Sequence, residues 1–581
     1  MKPDIAMTTG NPRMGWGSDV VAEMLRRLGI EYICVNPGSS FRGLHDSLIN
    51  YLGNDSPSML LSLHEQSVVA IAHGYYKACG KPMAVVLHSN VGLMAGMMSI
   101  FNAWCDRVPI LIFGATGAVD SAVRRSWIDW SHTFRDQGAL VRHFVKWDDQ
   151  PSSPAATVDG ILRTYQMVCT PPCGPGYVIL DRRLQEDALV SEIRLPDVEK
   201  FKIPAASAPS EAVIEQISSI LLSARRPVFL LGRMSSNIND WHDRIDVAER
   251  LGARVITDLR SGASFPTEHP LHCGPADLFL SPPGAKLLSE ADVVLSLDWP
   301  DLADTLAQAK SDARVIQVSV DAQIHNSYSG DHQRLAAVEL NVPVMPDAVF
   351  KPLLAKLKGR KPVMEKAPVQ PRERTTTFDD KVPTLADIGL ALSSARQGRD
   401  ISLARVPLNW PADTYAFREP LDYLGYDGGG GVGSGPGMAV GAALALQGTG
   451  RIPVAIMGDG EFLGAPSALW TASHYKIPVL VVVANNRSYF TDEIQQETVA
   501  RARHRAVENR WIGQRIDDPP VNLAGLARDY GVESEGPITA AKDLLAALQR
   551  GIEAVKAGRP YLIDVLVDPS RGGSFDWLTT A

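Results

Sequence analysis

Short runs rich in valine and isoleucine alternate along the chain with longer stretches of helical periodicity, and this alternation limits the fold more than any other feature. Strands that apolar must be covered on both faces, and strands joined by helices run parallel, so the pattern predicts parallel sheets layered between crossover helices. It occurs three times. The first section predicts helix 19–28, strand 32–35, helix 66–78, strand 84–88, helix 94–104 and strands 109–113 and 177–181. The second predicts helix 211–223 and strands 227–231, 254–257, 292–297 and 314–319. The third predicts strand 454–457, helix 465–474, strand 478–484, a long charged segment, helix 523–530 and strand 561–567.

A chain of 581 residues exceeds what one core organises, at roughly 150 to 200 residues per domain. Two polar, proline-bearing stretches, Arg183 to about Ser210 and Gly359 to Val382, read as connectors. The expected division is therefore 1–190, 205–358 and 383–581, all α/β. A net charge of -8 with no compact basic run excludes a nucleic-acid partner. Six cysteines, mostly in apolar stretches, predict buried thiols in a reducing compartment, and Cys169-Thr-Pro-Pro-Cys173 reads as a turn. The opening stretch MKPDIAMTTGNPRMGWG lacks the apolar core of a secretion signal, and no apolar run approaches the ~18 residues of a membrane span. A cytoplasmic protein with no membrane partner is expected.

Chemistry concentrates in the third section. One predicted strand ends in Gly458-Asp459-Gly460, and the next ends in Asn485-Asn486. Ligands of parallel sheets bind beyond the carboxyl ends of strands, so an acid and an amide at neighbouring ends can converge on one cation. Magnesium prefers hard oxygen donors and shares its shell with phosphates and water. Asp459, Asn486 and the carbonyl of Ser488 supply such donors. Gly458 and Gly460 let backbone approach a diphosphate, and a helix beginning after Leu463 would aim free N–H groups at it. Gly-Asp-Gly alone is equally a tight turn; the pairing of two strand ends carries the reading.

The segment MGDGEFLGAPSALWTASHYKIPVLVVVANNRSYF resembles the signature of the thiamine-diphosphate-dependent enzymes of the pyruvate decarboxylase and acetolactate synthase superfamily, and the likeness extends along essentially the whole chain. The resemblance implies a pyrimidine-binding domain first, a central Rossmann-like domain second and a diphosphate-binding domain last, with thiamine diphosphate and Mg²⁺ as cofactors. It implies that Glu65, in Leu63-His64-Glu65-Gln66, hydrogen-bonds the pyrimidine ring and activates the cofactor. Without the downstream motif, Glu65 would read as a first-turn acid complementing a helix dipole. The resemblance also implies that the glutamate and the metal site of one centre come from different subunits of a homodimer or homotetramer. Val432, in Gly430-Gly431-Val432-Gly433, takes the place of the bulky residue that bends the cofactor, although valine is small for that role.

Within the family, VNPGSSF, LHEQSVVAIAHGYYKACGKP, LHSNVGLMAGMMSIFNAW and SALWTASHYKIP resemble the benzoylformate decarboxylases. By position, the resemblance implies that Ser39 contacts the substrate carboxylate and that His88 exchanges protons with the intermediate. Those enzymes place a second histidine in the central domain, where this chain reads Leu297-Asp298-Trp299-Pro300-Asp301-Leu302. Pyruvate decarboxylases carry adjacent histidines in the first domain, where RRSWIDWSHTF leaves His132 standing alone. LHSNVG also replaces the Thr-Ser-Gly-Pro-Gly stretch of acetolactate synthases proper. Asp492 or Glu493 falls near a catalytic glutamate of pyruvate decarboxylases, or else, behind Thr491, both acids cap a helix. The arginines at 501, 503, 505, 510 and 515 read as a grip for an anionic substrate or as a solvated or intersubunit face. Glu461, where many relatives have serine, must point its charge away from a diphosphate. The expected activity is decarboxylation of an aromatic or branched 2-oxoacid; the alternatives are a carboligase or lyase acting on aldehydes, acyloins or 2-hydroxyacyl-CoA thioesters, and a non-catalytic relative, against which intact Glu65, Asp459 and Asn486 argue.

Overall fold

The computed structural model describes residues 4–6, 13–320, 334–363 and 378–570, so residues 364–377 of the expected second connector lie outside the described residues. Three parallel sheets with flanking helices succeed one another. The first contains β1 (Tyr32–Val35), β2 (Ser58–Leu61), β3 (Met83–Leu87), β4 (Ile110–Thr116), β5 (Trp147–Asp149) and β6 (Gly176–Asp181), in the order β2-β1-β3-β4-β6-β5. The second contains β7 (Pro227–Leu231), β8 (Arg254–Thr257), β9 (Val293–Leu297), β10 (Arg314–Val318) and β11 (Leu340–Val342), in the order β11-β10-β9-β7-β8. The third contains β12 (Ile401–Arg405), β13 (Ile452–Gly458), β14 (Leu480–Asn485), β15 (Glu533–Ile538) and β16 (Tyr561–Leu566), in the order β12-β13-β14-β16-β15.

The fold class is the one the alternation demands, and the central strands fall where their apolar runs are. Unanticipated strands are mostly at sheet edges. β5 has no fully buried residue and β15 reads ESEGPI, because an edge strand has one side without a neighbour and needs no continuous apolar run. The charged segment after β14 is a helix, Phe490–Ala502, with Asp492 and Glu493 in its first turn. No described helix is long and apolar enough to cross a membrane. All six cysteines are free thiols.

The first and third units share one core. The helix Glu65–Cys79 contributes Val68, Ile71 and Ala72 to it, and the helix Gly435–Leu446 contributes Ala439, Val440 and Ala443. The two helices cross at backbone contact: a Cβ on Gly74 would collide with the Met438 carbonyl, and one on Gly441 with the Ile71 carbonyl. Only glycine permits that approach. Gly441→Val is expected to cost about 3 kcal/mol by overpacking and to lower Tm clearly. An unchanged melting curve would show that the crossing tolerates separation.

Candidate active site

β13 and β14 are neighbours in register, so their carboxyl ends lie side by side. The helix expected after Leu463 instead begins at Asp459: Gly458 is an extended N-cap, and Asp459–Gly464 forms a short helix that ends before Pro466, with a second helix at Ala468–His474. Acids at 459 and 461 suit that first turn, and Pro466 cannot continue the hydrogen-bond ladder; this is why the boundary moves. Gly460 lies under the Tyr489 ring, which comes within 2.6 Å of where its Cβ would stand.

Asp459 is 3% exposed and forms no salt bridge among the described residues. Burial pushes its carboxyl up to about 6, against the opposing pull of backbone N–H groups of Gly460, Ser488 and Arg487. The acid of one strand end therefore reaches the loop at the other. There, Asn485 donates through Nδ2 to Asp564 at 3.0 Å, whereas Asn486 turns Oδ1 back to accept the Ser488 N–H at 2.9 Å. A buried carboxyl without a cationic partner, beside an amide oxygen and the Ser488 backbone, fits a hard divalent cation. Among the described residues no group of three or more acids, histidines or cysteines is arranged to hold a metal ion; magnesium commonly completes its shell with phosphate and water.

In the first unit, Glu65 opens its helix behind His64, whose side chain caps the Gln66 N–H at 3.1 Å. His88 follows β3 at the start of the helix Ser89–Cys105. The two meet at Gly92, where an added Cβ would lie 2.9 Å from Glu65 Oε1 and 3.3 Å from His88 Cβ. His88 Nδ1 pairs with Ser40 Oγ at 2.8 Å. Burial, with His132 and the Arg125 guanidinium nearby, pushes His88 down to about 4, so its ring is neutral at physiological pH.

Two residues here escaped the sequence reading. Ser39 is exposed, and its buried neighbour Ser40 is the one that holds His88. His132 does not stand alone: its ring meets that of His88 edge-on, with centroids 4.9 Å apart. It arrives on the loop after β4, the strand beside β3, which is a tertiary adjacency that spacing does not reveal.

The remaining candidates separate. Val432 is 53% exposed, and its carbonyl accepts from Gln66 Nε2 at 3.2 Å, so the start of the Glu65 helix meets the glycine loop of its own chain. Glu493 is 2% exposed, takes a 2.5 Å hydrogen bond from Ser488 Oγ and lies 3.5 Å from Arg510 and 3.6 Å from Arg515. Asp492 faces solvent. Arg501 and Arg510 pair with Glu497, so much of the arginine segment is engaged within its own unit. Asp298, at the stretch without a histidine, binds Arg107 and Ser319. A cavity of about 1060 Å³ between residues 119–135 and 150–193 is lined by none of the candidate residues.

Family models for thiamine pyrophosphate enzymes match in chain order: the N-terminal TPP binding domain over residues 15–140, the central domain over 214–340 and the C-terminal TPP binding domain over 408–565. The chain is similar to the benzoylformate decarboxylase of Pseudomonas aeruginosa, at 27% identity over 94% of this chain and 97% of that one. It is also similar to the acetolactate synthase large subunit of Lactococcus lactis, at 25% identity over 95% and 93%. Among solved structures, the benzoylformate decarboxylase of Polynucleobacter necessarius shares the fold with a TM-score of 0.77 at 21% identity, covering 96% of this chain and 99% of that one. The thiamine-diphosphate-dependent 4-hydroxybenzoylformate decarboxylase of Rhodococcus jostii does so with a TM-score of 0.74 at 23% identity, over 95% and 99%. With three thiamine pyrophosphate enzyme domains matched in order along three parallel-sheet units, the chain belongs to the thiamine-diphosphate-dependent enzymes of the pyruvate decarboxylase and acetolactate synthase superfamily, as a decarboxylase or carboligase.

Proposed function

We propose that this enzyme uses thiamine diphosphate and Mg²⁺ to decarboxylate, without oxidation, a 2-oxoacid of the benzoylformate type. The observation that carries the reading is Asp459, a buried acid that forms no salt bridge among the described residues and lies at the strand end next to Asn486 and Ser488. Those three would hold the metal and through it the diphosphate, with Gly458 and Gly460 bordering it. When bound, the cofactor supplies a carbon nucleophile and an electron sink for the carbonyl carbon of the substrate. Glu65 would hydrogen-bond its pyrimidine ring, and Val432 would support it. His88, neutral and tied through Nδ1 to Ser40, has Nε2 left to take up or return a proton beside Glu65. His132 completes a two-histidine wall in the first unit, where no histidine is needed from the second. Ser39, exposed near this wall, is the proposed carboxylate contact; Asp492, which faces solvent, and Glu493, buried against Ser488 in the same helical turn, are the further proposed proton donors.

The domains proposed are 1–190, 205–358 and 383–581, assembled as a homodimer or homotetramer with sites between subunits; a monomer by light scattering would remove the assembly from the proposal. The purified enzyme with both cofactors is expected to release CO₂ from aromatic 2-oxoacids, and no release from any member of a broad panel would overturn the reading. His88→Ala should lower kcat by about a hundredfold or more in that assay; full turnover would deny it a role. The similarity to acetolactate synthases supports a second reading, carboligation, and with it stands a lyase acting on acyloins or 2-hydroxyacyl-CoA thioesters. Product analysis with paired aldehydes and with formyl-CoA tests it, and the absence of any joined or cleaved product ends it.

A further inference from the structure

Three ionic side chains that no role above uses sit behind the Val432 loop. Arg405, at the end of β12 where pairing with β13 slips in register, is 2% exposed. Its guanidinium lies 3.1 Å from Asp427 and 3.4 Å from Glu461, and 3.7 Å from the centre of the Tyr426 ring. Each acid in turn holds one end of the glycine-rich segment. Asp427 Oδ1 accepts the Gly430 N–H at 2.8 Å, and Glu461 Oε1 accepts the Gly435 N–H at 2.6 Å. Gly435 is the first residue of its helix, so that amide has no partner within the helix, and a carboxylate there also complements the dipole.

The segment between these ties is DGGGGVGSG, with φ of 82°, 71° and 99° at Gly428, Gly430 and Gly433. Such a sequence has little of its own to fix its shape. Val432 is its one large side chain. Glu461 also belongs to the short helix that begins at Asp459, so one element carries a proposed metal ligand on one side and a loop tie on the other. Glu461, whose charge is expected to point away from a diphosphate, directs its carboxylate to Arg405 and the Gly435 N–H.

We infer that Arg405, Glu461 and Asp427 form a clamp that sets the position of Val432 against the ring end of the cofactor, leaving the diphosphate end to Asp459 and Asn486. They are positioning residues. The inference rests on the reading of Val432 proposed above, and two probes separate the failure of one from the failure of the other. Removing Glu461 leaves Arg405 paired one to one with Asp427, so Glu461→Ala keeps the buried charge balanced.

The full-length protein and its Glu461→Ala and Glu461→Gln variants are titrated with thiamine diphosphate and, separately, with inorganic pyrophosphate, both with Mg²⁺. Glu461→Ala is expected to bind pyrophosphate as the wild type does but thiamine diphosphate about tenfold more weakly, because the ligand must then order the loop. Glu461→Gln, whose amide oxygen still accepts the Gly435 N–H, should recover most of that loss. Hydrogen exchange without cofactor should quicken over residues 428–435 in Glu461→Ala alone, with β13 and β14 unchanged. Unaltered affinity for thiamine diphosphate, or equal loss of both ligands, overturns the clamp. A wild-type protein that binds neither probe overturns the cofactor reading and the clamp together. Should Glu461→Ala not fold, Tyr426→Leu, which removes the ring beneath the guanidinium, takes its place with the same expected separation.

Discussion

Glu65→Gln is expected to lower kcat by about a hundredfold to ten-thousandfold, while the protein still binds thiamine diphosphate. The amide has the shape of the carboxyl, so the close approach to Gly92, where an added Cβ would stand 2.9 Å from Glu65 Oε1, survives the change. The proposed diphosphate contacts, at Asp459 and Asn486, belong to the third unit and are untouched by the change. What is lost is an anion able to hold a proton on a ring nitrogen. Cofactor titration by fluorescence and steady-state turnover on the best 2-oxoacid make the separation visible. A variant that keeps more than a tenth of wild-type turnover, or one that no longer binds cofactor, would contradict the role given to Glu65.

Asp459→Ala should abolish Mg²⁺-dependent cofactor binding while making the cofactor-free protein more stable at neutral pH. A carboxyl whose folded pKa is raised contributes stability below its unfolded value, near 3.9, and loses that contribution as pH rises through the folded value. For Asp459 the folded value is about 6, so at pH 7.5 its ionised form costs the unliganded fold about 3 kcal/mol. The variant removes this cost. Its Tm without cofactor should exceed that of the wild type at pH 7.5 and approach it below pH 4. A lower Tm at pH 7.5, with Mg²⁺-dependent binding intact, would make Asp459 a structural acid. Greater stability together with lost binding is the trade expected where a fold keeps a strained group for use.

Runs such as VVLSL and LVVVAN announced central strands because both faces of those strands are buried. Asp459 and Asn486 were legible for a related reason: each directly follows or closes such a run, and the carboxyl ends of adjacent parallel strands must lie together. Side chains brought in by loops were not. His132 and Ser40 reach His88 from the loops after β4 and β1, and no periodicity links them. Arg405 ends an ordinary-looking strand, and only its burial with Asp427 and Glu461 shows what it holds. For the arginines after residue 500 the sequence left two readings open, an anion grip or a solvated or intersubunit face, and it did not show that Arg501 and Arg510 both pair with Glu497.

The two asparagines at the end of β14, Asn485 closing the strand and Asn486 just beyond it, look interchangeable on paper, yet they face different demands. Asn485 lends its amide to Asp564, whose buried carboxyl sits above the usual carboxylate range, while Asn486 points its oxygen into the turn that contains Ser488. Aspartate at 485 would set two anions against each other in the sheet and should compromise folding before chemistry is ever reached. Aspartate at 486 would instead add charge beside the proposed cation and should shift which divalent ion is preferred. Neighbouring letters of one motif thus carry separate physical burdens, cohesion of the sheet for the first and, on the reading proposed above, ion choice for the second.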